Sequence, residues 1–377
     1  MRASVALGVT GFSLIAVTYG MARFSWGLMM PAVVTEIPFS PGVSGIIAAS
    51  SYMAYCLSAL GASLLVARFG PRLPAVTSVV CAAAGLVMLA CAFSPLMLAT
   101  GLFIAGLSSG LASPSLAGAV TRTVSEKKQN LANTVINAGT GAGIILSVPI
   151  LLLMPGGWRA ACITFGAAAL LCLFPVLRYL PDGAQQARVE KIRWRDVFLS
   201  QPMMRLAIIA FISGMASAAW WSFGPDILRH HNGVDAKSAS MLWLVSGGAG
   251  IAGVLTGIMA NWLSMKQIYR LSQLAMAAPL ILLAYSHSFS WWFIPAVALC
   301  GAGYVILSGV LLVWGATSGI VSPAAGVSMA FFMLAAGQVT GSVVFGQIYA
   351  QAGAALALTG FALLSLLMMF LTAEKNR

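Results

Sequence analysis

Charged residues are scarce in this chain. Asp, Glu, Lys and Arg make up only 7% of its 377 residues, whereas apolar residue types make up 60%. A soluble protein of this length cannot cover its surface with so few charges. The composition therefore excludes a soluble globular fold and predicts a chain that lies mostly within a membrane.

Acidic residues are the scarcest charges, and their positions restrict the chemistry further. Of the eight Asp and Glu residues, only Asp226 lies beside an apolar segment, and none lies near the middle of one. Proton relays in pumps usually place a carboxylate at that depth. We expect Asp226 to pair with Arg229 or to face water, and we expect no proton-carrying carboxylate in a central cavity.

Metal-binding and nucleotide-binding patterns are missing from the sequence. The six cysteines fall inside apolar segments without the spacing of metal ligands, and the three histidines are expected in loops. The sequence contains no G-x-x-x-x-G-K-[ST] pattern. The apolar segments also lack the clustered His, Asp, Glu, Ser or Cys that a membrane-embedded enzyme needs. We therefore expect no metal, no cofactor and no enzymatic activity.

Long apolar runs fill most of the chain instead. A helix needs about 20 apolar residues to cross a bilayer, and we interpret twelve stretches as such spans. They are residues 4–34, 42–67, 73–93, 96–120, 131–154, 159–180, 203–228, 238–263, 267–286, 291–317, 323–350 and 353–373. The sequence thus predicts an all-α integral membrane protein with twelve transmembrane helices.

A repeat relates the two halves of this pattern. Residues 20–26 read GMARFSW and residues 214–220 read GMASAAW, so that Gly, Met, Ala and Trp recur at an offset of 194. The same offset relates Pro31 to Pro225. Two matched hydrophobic halves are typical of transporters built from internal repeats, which rock around a site at the repeat interface.

One charged stretch separates these halves. We expect an N-terminal six-helix bundle over residues 1–180, a cytoplasmic linker over residues 181–200 and a C-terminal six-helix bundle over residues 201–377. Within the linker, Val189–Leu199 places apolar residues between basic ones. This pattern fits a short helix at the membrane surface, and it equally fits a flexible tether.

The net charge of +12 predicts the orientation of the chain. With the N-terminus inside, 16 of the 20 Lys and Arg residues fall on the cytoplasmic side, and Arg159, Arg229 and Lys237 fall on the outer side. This asymmetry follows the positive-inside rule and predicts that both termini are cytoplasmic. The basic residues therefore orient the chain and contact lipid headgroups, and nucleic acid is not an expected partner.

The segment between spans two and three carries a family signature. Ser63–Arg72 reads SLLVARFGPR and resembles the G-x-x-x-D-R-x-G-R pattern of the major facilitator superfamily. Arg68 and Gly70 match that pattern, Arg72 follows one residue after its last position, and Ala67 stands where the family has an acid. In the family this acid forms a charge relay that latches the outward-facing state. The resemblance implies a conformational role for Arg68, Gly70 and Arg72.

The whole chain is similar to the major facilitator superfamily, because it has twelve spans in two halves joined by a basic linker. Within the family, Thr18–Pro31 (TYGMARFSWGLMMP) resembles the first span of the bacterial YbfB/YjiJ group, with its G-x-x-R-F pattern and a later proline. The resemblance implies a secondary transporter of the bacterial inner membrane. It also implies that spans one, four, seven and ten line a central cavity.

Arg23 is the main candidate for binding a solute. It lies about nineteen residues into the first span, where a charge costs at least a few kcal/mol unless it meets water, protein or a partner. Tyr19, Arg23 and Trp26 follow one another at i, i+4 and i+7, on one face of an α-helix. Such a stripe suits a carboxylate or a flat anion. The alternative is a structural arginine bonded to neighbouring carbonyl groups.

The repeat places a second set of candidates in span seven. Ser217 is equivalent to Arg23 and Trp220 is equivalent to Trp26, while Trp221 lies beside Trp220. With Tyr304 of span ten, these residues are cavity candidates through the family resemblance. The alternative for the aromatic residues, and for Tyr52 and Tyr55 of span two, is an aromatic belt at the membrane interface.

Asn137 in span five and Gln338 in span eleven are further candidates, and we expect both to be buried amides that need partners. Both spans contain G-x-x-x-G, which predicts close helix packing.

These features together predict the function. We expect a monomeric transporter that moves a small organic solute by alternating access, and Arg23 favours an organic anion. Efflux of an amphipathic or aromatic compound is the alternative, and a membrane-embedded enzyme is a distant one. The expected partners are the solute and membrane lipids.

Overall fold

The fold consists of helices joined by turns and short loops in the residues that the computed structural model describes, namely 2–183, 200–251, 259, 261–317 and 323–373. No strand occurs among them. Twelve helices follow in chain order: α1 (Ser4–Glu36), α2 (Pro41–Phe69), α3 (Arg72–Ala90), α4 (Pro95–Thr123), α5 (Glu126–Leu153), α6 (Gly157–Tyr179), α7 (Gln201–His231), α8 (Ala236–Gly250), α9 (Met265–Tyr285), α10 (Phe293–Thr317), α11 (Pro323–Ala352) and α12 (Ala354–Met368).

Each of the twelve predicted spans corresponds to one of these helices, which confirms the all-α prediction. Among the described residues, ten helices are long and apolar enough to cross a membrane, and α12 is apolar but shorter. Helix α8 is described to Gly250, and most of the rest of the predicted eighth span lies outside the described residues. Most of the predicted linker, including Val189–Leu199, also lies outside them.

Polar side chains begin several helices where the chain leaves a loop. The hydroxyl groups of Ser94 and Ser200 accept hydrogen bonds from the backbone N–H groups of Met97 and Met203. Ser264 forms a reciprocal capping box before α9. Such caps satisfy N–H groups that have no partner within the helix. Within the apolar runs the backbone bonds to itself, as it must where lipid replaces water.

The chain divides into two compact units. One consists of Met1–Phe39 with Ser50–Val189, and the other of Ser40–Ala49 with Glu190–Arg377. In the first unit α1 packs on α5, and α3 packs on both α4 and α6. In the second unit α7 packs on α11, and α9 packs on both α10 and α12. The two units therefore repeat one packing scheme, as the sequence offset of 194 predicts.

Glycine allows the closest of these helix contacts. A Cβ atom at Gly143 in α5 would overlap the carbonyl oxygen of Ala16 in α1. A Cβ atom at Gly337 in α11 would overlap the carbonyl oxygen of Phe211 in α7. Gly143 and Gly337 are themselves separated by the repeat offset of 194. The close packing predicted from the G-x-x-x-G patterns is thus present in both units.

Candidate functional site

Helix α1 departs from α-helical geometry along the segment that leads to Arg23. Residues Ala16–Phe24 form a π-helix, and α-helix follows from Ser25 to Glu36. Such π-helical segments are rare and are frequent at functional sites. Arg23 lies near the end of this segment, and only 6% of its surface is exposed. A cation is thereby held inside the first unit, next to an irregular turn of helix.

Aromatic rings surround the Arg23 guanidinium. Its Cζ atom lies 4.4 Å from the ring centre of Tyr55 and 4.9 Å from that of Tyr52. The rings of Phe24 and Tyr19 follow at 5.3 and 5.7 Å. All four distances fall within the range of cation–π attraction, about 6 Å. Tyr52 and Tyr55, which the sequence left open between cavity and membrane interface, therefore contact the predicted site residue.

Tyr19 links this cluster to α4. Its hydroxyl group shares a 2.8 Å hydrogen bond with the hydroxyl group of Ser113, and its ring meets that of Tyr55 edge-on at 6.2 Å. Trp26 is buried, with 3% of its surface exposed. The expected stripe of Tyr19, Arg23 and Trp26 assumed regular α-helix. A π-helical turn holds more residues than an α-helical turn, so this stripe does not run unbroken to Trp26.

The predicted residues of the second unit lie together. The ring of Trp221 packs edge-on against Tyr304 at 5.4 Å and against Trp243 of α8 at 5.4 Å. Trp220 lies 5.7 Å from Trp243, and its indole N–H donates to the hydroxyl group of Ser246 over 2.9 Å. Three indole rings and a phenol thus form one cluster, which we call the tryptophan cluster (Trp220, Trp221, Trp243 and Tyr304).

Gln338 of α11 connects this cluster to α7. Its side-chain amide donates to the hydroxyl group of Tyr304 at 3.2 Å and to that of Ser217 at 3.4 Å. Gln338 is fully buried, as the sequence predicts. A small pocket of about 10 Å³ is lined by Ser217, Trp220, Trp221 and Tyr304. Five residues chosen from the sequence therefore converge within the second unit.

Asn137 differs from its expected environment. Its side chain is exposed on α5, whereas the sequence predicts a buried amide. The neighbouring Gly139 and Gly143 are buried against α1. Because successive residues of a helix point in different directions, the face that packs against α1 leaves Asn137 on another side.

The predicted conformational motif lies at the end of α2 and the start of α3. Gly70 has a positive φ of 80°, and a Cβ atom there would overlap the carbonyl oxygen of Gly183. Arg72 forms an ion pair with Asp182 at 2.8 Å and donates to the carbonyl oxygen of Leu180 at 3.0 Å. Arg68 is exposed and lies 5.2 Å from the ring of Phe69.

Arg72 of the motif segment therefore pairs with an acid from another part of the chain. Asp182 follows α6, more than a hundred residues after Arg72, so no local pattern reveals the pair. Arg122 at the end of α4 joins this contact and donates to the carbonyl oxygen of Gly183 at 2.9 Å. The Arg72–Asp182 pair and the Arg122 hydrogen bond join the start of α3 and the end of α4 to the residues that follow α6, within the first unit.

Asp226 also differs from its expected environment. From the sequence, Asp226 is predicted to pair with Arg229 or to face water. Instead it is buried, and its carboxylate bonds to His230 at 2.8 Å and accepts from the hydroxyl group of Tyr349 at 3.1 Å. His230 stands four residues after Asp226, a helical spacing that the sequence displays, whereas Tyr349 comes from α11. His231, the neighbour of His230, contacts the carbonyl oxygen of Ala284 at 3.0 Å.

Comparisons with known proteins agree with this architecture. The family model described as Major Facilitator Superfamily matches residues 12–323. A curated protein, the uncharacterized transporter YycB of Bacillus subtilis (strain 168), is 27% identical over 249 residues. That alignment covers 63% of this chain and 59% of the relative, so the chain matches less than two thirds of the relative's length.

Solved structures with the same fold include two crystal structures of the nucleoside transporter NupG. One, of a single-site mutant, has a TM-score of 0.80 at 15% identity, and the match covers 98% of both chains. The other has a TM-score of 0.75 at 16% identity and the same coverage. At such low identity the likeness establishes the fold alone.

Proposed function

The chain belongs to the Major Facilitator Superfamily, a family of membrane transporters, and from this premise we propose that it moves a small organic anion across the membrane by alternating access. It is a multi-pass membrane protein, as its family membership and the ten long apolar helices among its described residues indicate. The proposal names a cargo class, which family membership alone does not supply.

The buried Arg23 is the observation that supports an anion. A charge inside an apolar span is retained where it meets a substrate or an ion pathway. The four rings around Arg23 hold the guanidinium in place by cation–π attraction. A guanidinium offers a planar fork of donors that matches a carboxylate in a bidentate way. A bound organic anion is therefore the cargo that this residue suits best.

A panel of matched ligands tests the cargo class. Purified protein in lipid nanodiscs is heated in the presence of organic carboxylates, the neutral amide of each carboxylate, nucleosides and cationic drugs. Ligand at a hundred times its dissociation constant stabilises the native state by about 2.7 kcal/mol. We expect a carboxylate, and not its amide, to raise the unfolding temperature. Stabilisation by neutral or cationic compounds to the same degree argues against an anion as cargo.

The tryptophan cluster supports a second candidate, efflux of a flat aromatic or amphipathic compound. Aromatic faces bind flat apolar groups, and a pair of rings contributes about 0.5–1.5 kcal/mol beyond the area buried. Replacement Trp221→Leu is therefore expected to weaken an aromatic ligand roughly 2-fold to 10-fold. Binding is measured by isothermal calorimetry, with Trp262→Leu as the control because Trp262 is 85% exposed. Equal affinities for the two variants count against this candidate.

The orientation of the chain is a separate part of the proposal. We propose that the protein lies in the bacterial inner membrane with both termini in the cytoplasm, because 16 of 20 basic residues then lie inside. A reporter that is active only in the periplasm is expected to be inactive when fused after the last residue, and a cytoplasmic reporter is expected to be active. A periplasmic signal there contradicts the orientation or the even number of spans.

A further inference from the structure

The C-terminal end of α7 holds a buried carboxylate between an imidazole and a phenol. The Asp226 side chain is 10% exposed and that of His230 is 50% exposed, and 2.8 Å separates Oδ1 of Asp226 from Nδ1 of His230. The other oxygen of Asp226 accepts from Tyr349 of α11 at 3.1 Å. One face of this cluster is thus open to water and the other is anchored in the protein.

The backbone around the cluster is irregular. Pro225 lies inside α7, and residues Ile227–His231 form a π-helical turn. The next residues attach this end of α7 to the end of α9, because Asn232 donates to the carbonyl oxygens of Leu283 and Ser286 at 2.9 and 2.6 Å. Asp226 therefore joins α7 to α11 at the same end where Asn232 joins α7 to α9.

We propose that Asp226, His230 and Tyr349 form a proton-binding site that stabilises the π-helical end of α7, where Tyr349 anchors it to α11. A proton from water binds the ring nitrogen of His230 that does not face Asp226, and the imidazolium then donates from Nδ1 to the carboxylate. The Tyr349 hydroxyl group holds that carboxylate in place from α11. The ligand of this site is a proton, and the site does not depend on the identity of the transported solute.

Protonation strengthens the bond between Asp226 and His230 because the donor changes from a neutral imidazole to an imidazolium, so that both partners are charged. Hydrogen bonds of charged groups are the stronger ones, and imidazole is the side chain that changes charge between about pH 5 and pH 8. Burial of Asp226 limits screening by water and salt. The ordered π-helical end of α7 is therefore favoured at acidic pH and is weakened as the pH rises and the imidazolium loses its proton.

Few other ionisable groups face this cluster in the described residues. Arg229 lies on the same turn as His230. Helices α11 and α12 contain no charged residue, and Tyr349 is the ionisable group that α11 contributes. Before α8, hydrogen bonds from Ser238 lower the pKa of Asp235, and Lys237 lies at the start of the same helix. The rings of His231 and His287 pack together at 5.5 Å.

The test compares the thermal stability of the unliganded protein at two pH values, with the proton itself as the probe. Unaltered protein in nanodiscs is expected to unfold roughly 2 to 4 °C higher at about pH 5.5 than at about pH 8 through this contact. In His230→Asn, the amide nitrogen replaces Nδ1 as a donor but does not titrate, so that this difference is lost. His287→Asn is the control, because it removes an exposed imidazole and leaves the Asp226 cluster intact.

A second variant and a hydrogen-exchange measurement also test the proposal. Asp226→Asn removes the charge that an imidazolium needs, and it is expected to abolish the same pH-dependent difference. If neither variant folds, amide hydrogen exchange is measured on the unaltered protein at the two pH values. The peptides that contain Asp226–His231 and Tyr349 are expected to exchange more slowly at the acidic pH. A pH-dependent difference that survives His230→Asn, or equal protection at the two pH values, overturns the proposal.

Discussion

Replacement Arg23→Gln is expected to reduce solute binding by roughly 30-fold or more. Truncating one partner of a buried charge pair costs about 2–5 kcal/mol, and each 1.4 kcal/mol is a factor of about ten in affinity. Glutamine keeps a polar side chain of similar length but lacks the charge and the planar fork. Arg23→Lys is expected to weaken binding less, because lysine keeps the charge while losing the bidentate geometry.

The measurement is calorimetric titration with whichever anion stabilises the unaltered protein, together with uptake into proteoliposomes. Arg178→Gln is the matched control, because Arg178 is an exposed arginine at the end of α6. We expect both Arg23 variants to reach the membrane. Unchanged affinity in Arg23→Gln, or failure of that variant to fold, assigns Arg23 a structural role within its four aromatic rings.

Replacement Gly337→Ala is expected to produce the second large effect, a loss of stability of about 1–3 kcal/mol. The added methyl group would overlap the backbone carbonyl of Phe211, and a backbone atom cannot move aside as a flexible side chain can. Helices α7 and α11 therefore have to separate at this point. The same separation disturbs the hydrogen bond between Gln338 and Ser217, which joins these two helices. Solute binding by the second unit is expected to weaken together with stability.

Unfolding in increasing concentrations of a denaturing detergent measures this effect. Gly360→Ala in α12 is the control, because a Cβ atom at Gly360 meets no atom within 4 Å. Alanine is a better helix former than glycine by about 1 kcal/mol, so the control is expected to be neutral or stabilising. If Gly337→Ala and the unaltered protein unfold at the same detergent concentration, close helix packing is not the reason why this position holds glycine.

Repetition explains two of the site predictions in the second unit. Trp220 and Ser217 were selected because the offset of 194 places them opposite Trp26 and Arg23. In the structure both line one pocket with Tyr304, and Ser217 accepts a hydrogen bond from Gln338. A duplicated six-helix unit places equivalent residues at equivalent positions, so a match within the chain carries spatial information. Gln338 and Asn137 had no such match, and of their two predicted burials only that of Gln338 was confirmed.

The sequence by itself determined the class of the protein and its family. Long apolar runs must form helices because lipid offers the backbone no other hydrogen-bond partner, and the scarcity of charge leaves no soluble alternative. The all-α architecture and the family resemblance are confirmed for these reasons. The cargo, the orientation and the roles of the site residues stay predictions.

The tertiary structure alone decided which side chains meet from distant helices. Tyr52 and Tyr55 reach Arg23 from α2, Asp182 reaches Arg72 from beyond α6, and Tyr349 reaches Asp226 from α11. Helical periodicity relates residues three or four positions apart. It carries no information about which helix faces which, because apolar spans are similar on all sides. Helix packing therefore supplied the ring cluster at Arg23, the acid for Arg72 and the partner of Asp226.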